Sequence, residues 1–182
     1  MKRRAGECMK FAIALLLLSA SCVSAQTKTG ESAWAEPDGF LGVPFNASRA
    51  LARTKIDLKC GAGDDVCTHT VRLMNLELEV FFTFSDDKLS RVWADFASAN
   101  FGIVCDIFSQ RYGKPTGVTT ETVTSATGGR IENETWAWTG EKVSIGISRY
   151  FPRDGETKQE GLFMVFLNTY LKENVKKAAD KL

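Results

Sequence analysis

Residues 72–96 read RLMNLELEVFFTFSDDKLSRVWADF, and this stretch decides the fold. Arg72, Met74, Leu76, Leu78, Val80, Phe82 and Phe84 fall on one parity, and Asn75, Glu77, Glu79, Phe81 and Thr83 on the other. A period of two over so many residues predicts a β-strand with one buried face. Ser85-Asp86-Asp87-Lys88 reads as a turn into a second strand, Leu89 to Phe96. A three-residue loop at 86–88 pairs Phe82 with Val92, Val80 with Ala94 and Leu78 with Phe96. That register keeps the apolar residues on one side. The opposite side then pairs Phe81 with Trp93 and Thr83 with Arg91, so large aromatics stand where a one-sided sheet normally carries polar residues. Phe81, Trp93 and Arg91, rimmed by Glu79 and Asp95, have the composition of a binding hot spot. The plain alternative is that the segment around Trp34, or a C-terminal helix, covers this face.

Downstream, Phe101, Val104, Cys105, Phe108 and Tyr112 recur at helical spacing, with a cap expected at Ser98 or Asn100 and a stop at Gly113 and Pro115. Four strands follow, at 117–125, 130–139, 142–150 and 161–170, with turns at Gly128-Gly129 and Gly140-Glu141. A two-residue turn at 140–141 sets Trp138 opposite Val143, Trp136 opposite Ile145 and Glu134 opposite Ile147. The two tryptophans then anchor the buried face, with an aromatic carbohydrate platform as the functional alternative. Residues 162–167 are apolar on both parities, as in a strand covered on both faces. Upstream, Phe40-Leu41-Gly42-Val43-Pro44-Phe45 precedes Asn46, a good cap for a short helix bearing Ala47, Ala50, Leu51 and Thr54 on one side. A polar helix is expected from about Lys172. The expected order is helix, two strands, helix, four strands, C-terminal helix. The expected class is α+β, an antiparallel sheet with helices packed on one face.

The first 25 residues read as a signal peptide: Lys2, Arg3, Arg4 and Lys10 precede the apolar run 11–18, and Val23-Ser24-Ala25 suits cleavage before Gln26. Cys22, after Ser19-Ala20-Ser21, offers a rival lipid-anchored start. Residues 26–38 read as an extended leader and 39–182 as one domain. The apolar run is too short to span a membrane, and none later is long enough. Cleavage would leave 157 residues with net charge −2, since four of the 23 basic and one of the 22 acidic residues leave. Such a chain has no electrostatic reason to bind nucleic acid.

Three cysteines would remain in an oxidising setting: Cys60, Cys67 and Cys105. Cys60 and Cys67 enclose a Gly-rich turn and are expected to form a disulfide, leaving Cys105 as a small buried hydrophobe. A metal held by Cys60, Cys67, His69 and Asp64 or Asp65 is the weaker alternative, because Cys67-Thr68-His69 is too tight for zinc spacing. His69 is the only histidine, which disfavours histidine-based nucleophilic catalysis. Gly61-Ala62-Gly63 lacks the spacing of a phosphate loop, so no cofactor is expected. Glu77 and Glu79 share one strand face and are the one candidate carboxylate pair for a hydrolase.

Phe40-Leu41-Gly42-Val43-Pro44-Phe45, the hairpin 84–89 (FSDDKL), the helix end Arg111-Tyr112-Gly113-Lys114-Pro115, and Trp136 or Trp138 ahead of an alternating strand together resemble small exported domains of Gram-negative bacteria. The helix-plus-hairpin plan is similar to β-lactamase-inhibitor-protein and BamE-like periplasmic modules. The resemblance implies a non-catalytic periplasmic or secreted protein with a binding or envelope-assembly role, and the expected partner is another envelope or secreted protein. An aromatic-lined small-ligand binder using Trp93, Trp136 or Trp138 is the alternative, and a carboxylate-dependent hydrolase a further one.

Overall fold

A computed structural model of the chain describes residues 34–180 apart from 62, 126–127, 154–155 and 158–159. The expected signal peptide, its cleavage site and Cys22 lie outside the described residues. The described chain runs β1 (Gly39–Phe40), β2 (Val43–Pro44), α1 (Arg49–Arg53), β3 (Lys59–Cys60), β4 (Val66–Leu73), β5 (Leu76–Ser85) and β6 (Lys88–Ala97). It continues through a 3-10 turn (Ser98–Asn100), α2 (Phe101–Tyr112), β7 (Gly117–Thr124), β8 (Arg130–Thr139), β9 (Val143–Ser148), β10 (Pro152–Arg153), β11 (Glu156–Thr157), β12 (Glu160–Leu167) and α3 (Asn168–Ala179).

The α+β class is overturned. Half of the described residues, 50%, are strand and 23% helix, so the protein is mainly β. One antiparallel sheet of eight strands, ordered β3-β4-β5-β6-β12-β9-β8-β7, dominates it, with β1-β2 and β10-β11 as two-stranded ribbons. Two physical facts conceal this in the sequence. The run from Arg72 to Phe84 is two strands, because a tight turn at Met74-Asn75 pairs Leu73 with Leu76 and leaves the parity unbroken. Further, α3 is polar and almost entirely exposed, so it covers little of the sheet. The helical layer on the inner face comes down to α2 with the short α1.

The β5–β6 hairpin keeps the expected pairs Phe81–Trp93, Phe82–Val92 and Thr83–Arg91. Its turn is shorter than the three residues expected: Asp86 and Asp87 both take positive φ, and Ser85 pairs with Lys88. A bulge between Thr83 and Phe84 restores the register, with the buried Ser90 hydroxyl donating to the Thr83 carbonyl at 3.1 Å. The β8–β9 register also differs from expectation. Trp138 pairs with Ile145 and Trp136 with Ile147. The connection is wider because the Glu36 carboxylate accepts the backbone N–H groups of Glu141, Lys142 and Val143, while the Asn168 amide donates to the Gly140 and Glu141 carbonyls. A two-residue shift leaves the tryptophans on the same face.

Helix α2 buries the five residues expected of it, Phe101, Val104, Cys105, Phe108 and Tyr112. They meet Leu78, Val80, Phe82, Val92, Phe163, Ile145, Ile147 and Trp138 of the inner sheet face. Phe108 lies 5.2 Å from Phe163 and 6.3 Å from Trp138, ring centre to ring centre. The Trp138 indole N–H donates to the Gly113 carbonyl at 2.8 Å, tying the sheet to the end of α2. Gly113 there has φ 88°, a conformation that favours glycine. Helix α1 is capped by Ser48, not Asn46, and buries Ala52 while Leu51 is exposed. Helix α3 begins at Asn168, ahead of the Lys172 expected. Part of the expected leader is held in place: Ala35 N–H donates to the Tyr112 carbonyl at 2.8 Å and Trp34 packs edge-on against Tyr112 at 6.2 Å.

Candidate functional site

Opposite α2, the sheet presents an outer face whose composition follows from register. One row crosses all the long strands: Thr68, Phe81, Trp93, Met164, Gly146, Ala137 and Gly117 are successive neighbours. The next row sets Thr83, Arg91, Phe166, Ser144 and Thr139 side by side. Across these two rows the β5-β6-β12 half carries Phe81, Trp93, Phe166 and Met164 beside Thr83 and Arg91, and the β9-β8-β7 half carries only glycine, alanine, serine and threonine. Phe81, Trp93, Met164 and Phe166 are all half-buried.

The residues expected to form a binding site come together here. Phe81 and Trp93 stack with ring centres 4.1 Å apart and planes 11° from parallel. The Arg91 guanidinium lies 5.9 Å from the Trp93 ring and 5.3 Å from that of Tyr170 at the start of α3. It also reaches the Thr83 hydroxyl at 3.4 Å. A guanidinium between two aromatic rings has its flat surface covered by cation–π contact. Met164, Phe166 and Tyr170 complete the patch and were not singled out from the sequence. For Met164 and Phe166 the signal was the two-parity apolar run of β12, which marked a central strand but not which of its faces stays open. Trp34 lies on the α2 side, and α3 reaches this face through Tyr170, at its first turn.

Other sequence candidates resolve differently. Cys60 and Cys67 are cross-strand partners of β3 and β4 and form a disulfide. Their sulfurs are thus bonded to each other and not available as thiolate ligands. His69 Nδ1 lies 2.9 Å from the Asp57 carbonyl. Among the described residues no three His, Cys, Asp or Glu side chains are grouped to hold a metal. Glu77 and Glu79 are exposed, and Glu77 is ion-paired with Arg72 at 3.4 Å. Trp138 is fully buried; Trp136 lies between Phe101 and Trp138, its indole N–H donating to Glu134 at 2.8 Å. Trp136 itself is only partly buried. Cys105 is buried, and burial pushes its thiol pKa up to about 12, with the nearby Glu134 and Asp106 carboxylates adding to the rise.

Sequence reasoning missed an apolar groove of about 450 Å³ between the β1–β2 turn, the β4–β5 turn and the second half of α2. Phe40 and Phe108 lie deepest, Leu73 and Ile107 flank it, and Leu41 and Met74 line it from the two turns. Leu41 and Met74 have φ 50° and 56°. A non-glycine residue held there costs on the order of 1–3 kcal/mol. The other positive-φ residues apart from glycine, among those described, are Asn46, Asp86 and Asp87, whose short polar side chains tolerate it. A second stripe on α2, Ile103, Ile107 and Arg111 at intervals of four, was the legible signal for this flank.

No protein-family model matches the chain, and no curated protein or solved structure matches it either. The likeness to β-lactamase-inhibitor-protein and BamE-like modules rests on the sequence motifs alone. Among the described residues no helix is long and apolar enough to cross a membrane.

Proposed function

We propose that this chain is a non-catalytic, exported binding protein that engages another envelope or secreted protein through the outer face of its sheet. The observation that carries the reading is the Phe81–Trp93 stack with Arg91 over it, on the side of the central hairpin away from α2. Tryptophan and arginine are the residues most often found to dominate binding energy at protein interfaces, and an aromatic centre beside a guanidinium suits a partner offering an apolar side chain and a carboxylate. The Cys60–Cys67 disulfide fits an oxidising compartment, as export requires. The glycine and threonine half of the face, with little side-chain bulk, gives a partner room to lie flat.

In-cell photocrosslinking from position 68, the neighbour of Phe81 in the row, tests the proposal. The expected result is capture of a defined envelope or secreted protein that also binds the purified chain and is lost in Trp93→Ala. Crosslinks unchanged by that substitution would remove the outer face as the binding surface.

A further inference from the structure

We infer that the groove beside α2 binds a free long-chain carboxylic acid, its alkyl chain along the groove and its carboxylate at Arg111. The inference is independent of the outer-face reading, since the groove lies on the α2 side and shares no residue with the Phe81–Trp93 patch.

Shape and polarity define the ligand. The lining is apolar over Leu41, Leu73, Met74 and Ile107, and at about 450 Å³ the groove is of small-molecule size. A single alkyl chain laid along Leu41, Leu73, Met74 and Ile107 would meet apolar side chains throughout. Arg111 is the one charged side chain lining the groove. It is exposed, and no described carboxylate pairs with it. Its Nε donates to the Tyr112 hydroxyl at 3.2 Å, and the guanidinium lies 5.6 Å from the Tyr112 ring, so its terminal nitrogens are steered by a buried partner. Of the nearby acids, Glu36 is held by three backbone N–H groups of the β8–β9 connection, and Asp38 shares the lining of an adjoining hollow with Arg111 and Tyr112 without an ion pair to Arg111 among the described residues. An apolar trough ending at one cation complements a molecule with one anionic end.

The two strained turns point the same way. Leu41 and Met74 occupy backbone conformations usually left to glycine, asparagine or aspartate, yet both carry large apolar side chains to this groove, and Met74 is 76% exposed. Strain and exposure of that kind persist where the side chain has a use. An alkyl chain lying between Leu41 and Met74 would cover both.

The test titrates delipidated protein with sodium palmitate carrying a 13C carboxyl, below its critical micelle concentration, reading the carboxyl resonance by NMR. 1-Hexadecanol and a dipalmitoyl phospholipid serve as comparison ligands. One palmitate per chain is expected, with its carboxyl pKa lowered on binding. Arg111→Ala should weaken palmitate about tenfold, the equivalent of about 1.4 kcal/mol, and leave 1-hexadecanol unchanged. Met74→Asp, whose side chain tolerates the left-handed backbone, should weaken both ligands; Leu41→Asn serves if that variant does not fold. Absence of palmitate binding would overturn the inference. So would equal affinity for 1-hexadecanol, tighter binding of the phospholipid, or palmitate binding indifferent to all three substitutions.

Discussion

Cys105 sits on the buried stripe of α2, and burial raises its thiol pKa to about 12, so almost no thiolate forms near neutrality. With Cys60 and Cys67 joined, a chain starting at Gln26 is expected to take up no alkylating reagent at pH 8 when native. It should take up one equivalent when unfolded without reductant, as intact mass would record. Two or more would show the disulfide to be absent. Glu36 works through the opposite balance. Desolvation pushes its carboxyl pKa up, but the N–H groups of Val143, Lys142 and Glu141 hold the charged form and bring it below the usual value. A group whose pKa is lowered by folding stabilises above its unfolded pKa, and that contribution is lost as pH falls through the folded value. Glu36→Gln is therefore expected to lower stability at pH 7 by under about 1 kcal/mol, the site being solvent-exposed. The gap to the native chain should close as pH falls through the lowered folded pKa, to where both side chains are neutral. Urea denaturation as a function of pH measures this, and an undiminished gap in strong acid would contradict it.

At the scale of elements, the turns carry most of the surprises. Met74 keeps parity across the β4–β5 turn, so periodicity alone reads one long strand where there are two. The same turn leaves Met74 strained, and Met74→Asn is expected to raise Tm by about 2–4 °C per kcal/mol of strain relieved. A fall in Tm on thermal denaturation would show that the turn is not strained. Helix α2 was legible because five apolar residues at helical spacing leave one arrangement only. The β5–β6 register was legible because a one-residue slip would turn Phe82, Val80 and Leu78 to solvent. The β8–β9 register was not, because a slip of two residues conserves every face; long-range contacts from Glu36 and Asn168 choose between the alternatives. Of the candidate site, Phe81, Trp93 and Arg91 followed from pairing within one hairpin. Met164, Phe166 and the groove depend on contacts between distant segments, which local pattern does not encode.

Across the whole molecule, β12 is the strand that joins two meanders, β3 to β6 on one side and β7 to β9 on the other. Phe163 lies at that junction, fully buried, 5.2 Å from Phe108 and 5.9 Å from Phe40. Phe163→Ala is expected to cost about 3–5 kcal/mol, the usual loss for a buried aromatic, and to loosen both halves together in hydrogen exchange. The outer face above that junction carries the central claim. Its most direct test is the affinity of Trp93→Ala for the captured partner, measured beside its unfolding free energy. The account predicts binding lost at least a hundredfold, about 2.7 kcal/mol, with a stability cost of about 1–2 kcal/mol for a half-buried stacked ring. Unchanged affinity, or a stability loss of about 3 kcal/mol or more, which would mark Trp93 as core, would contradict it.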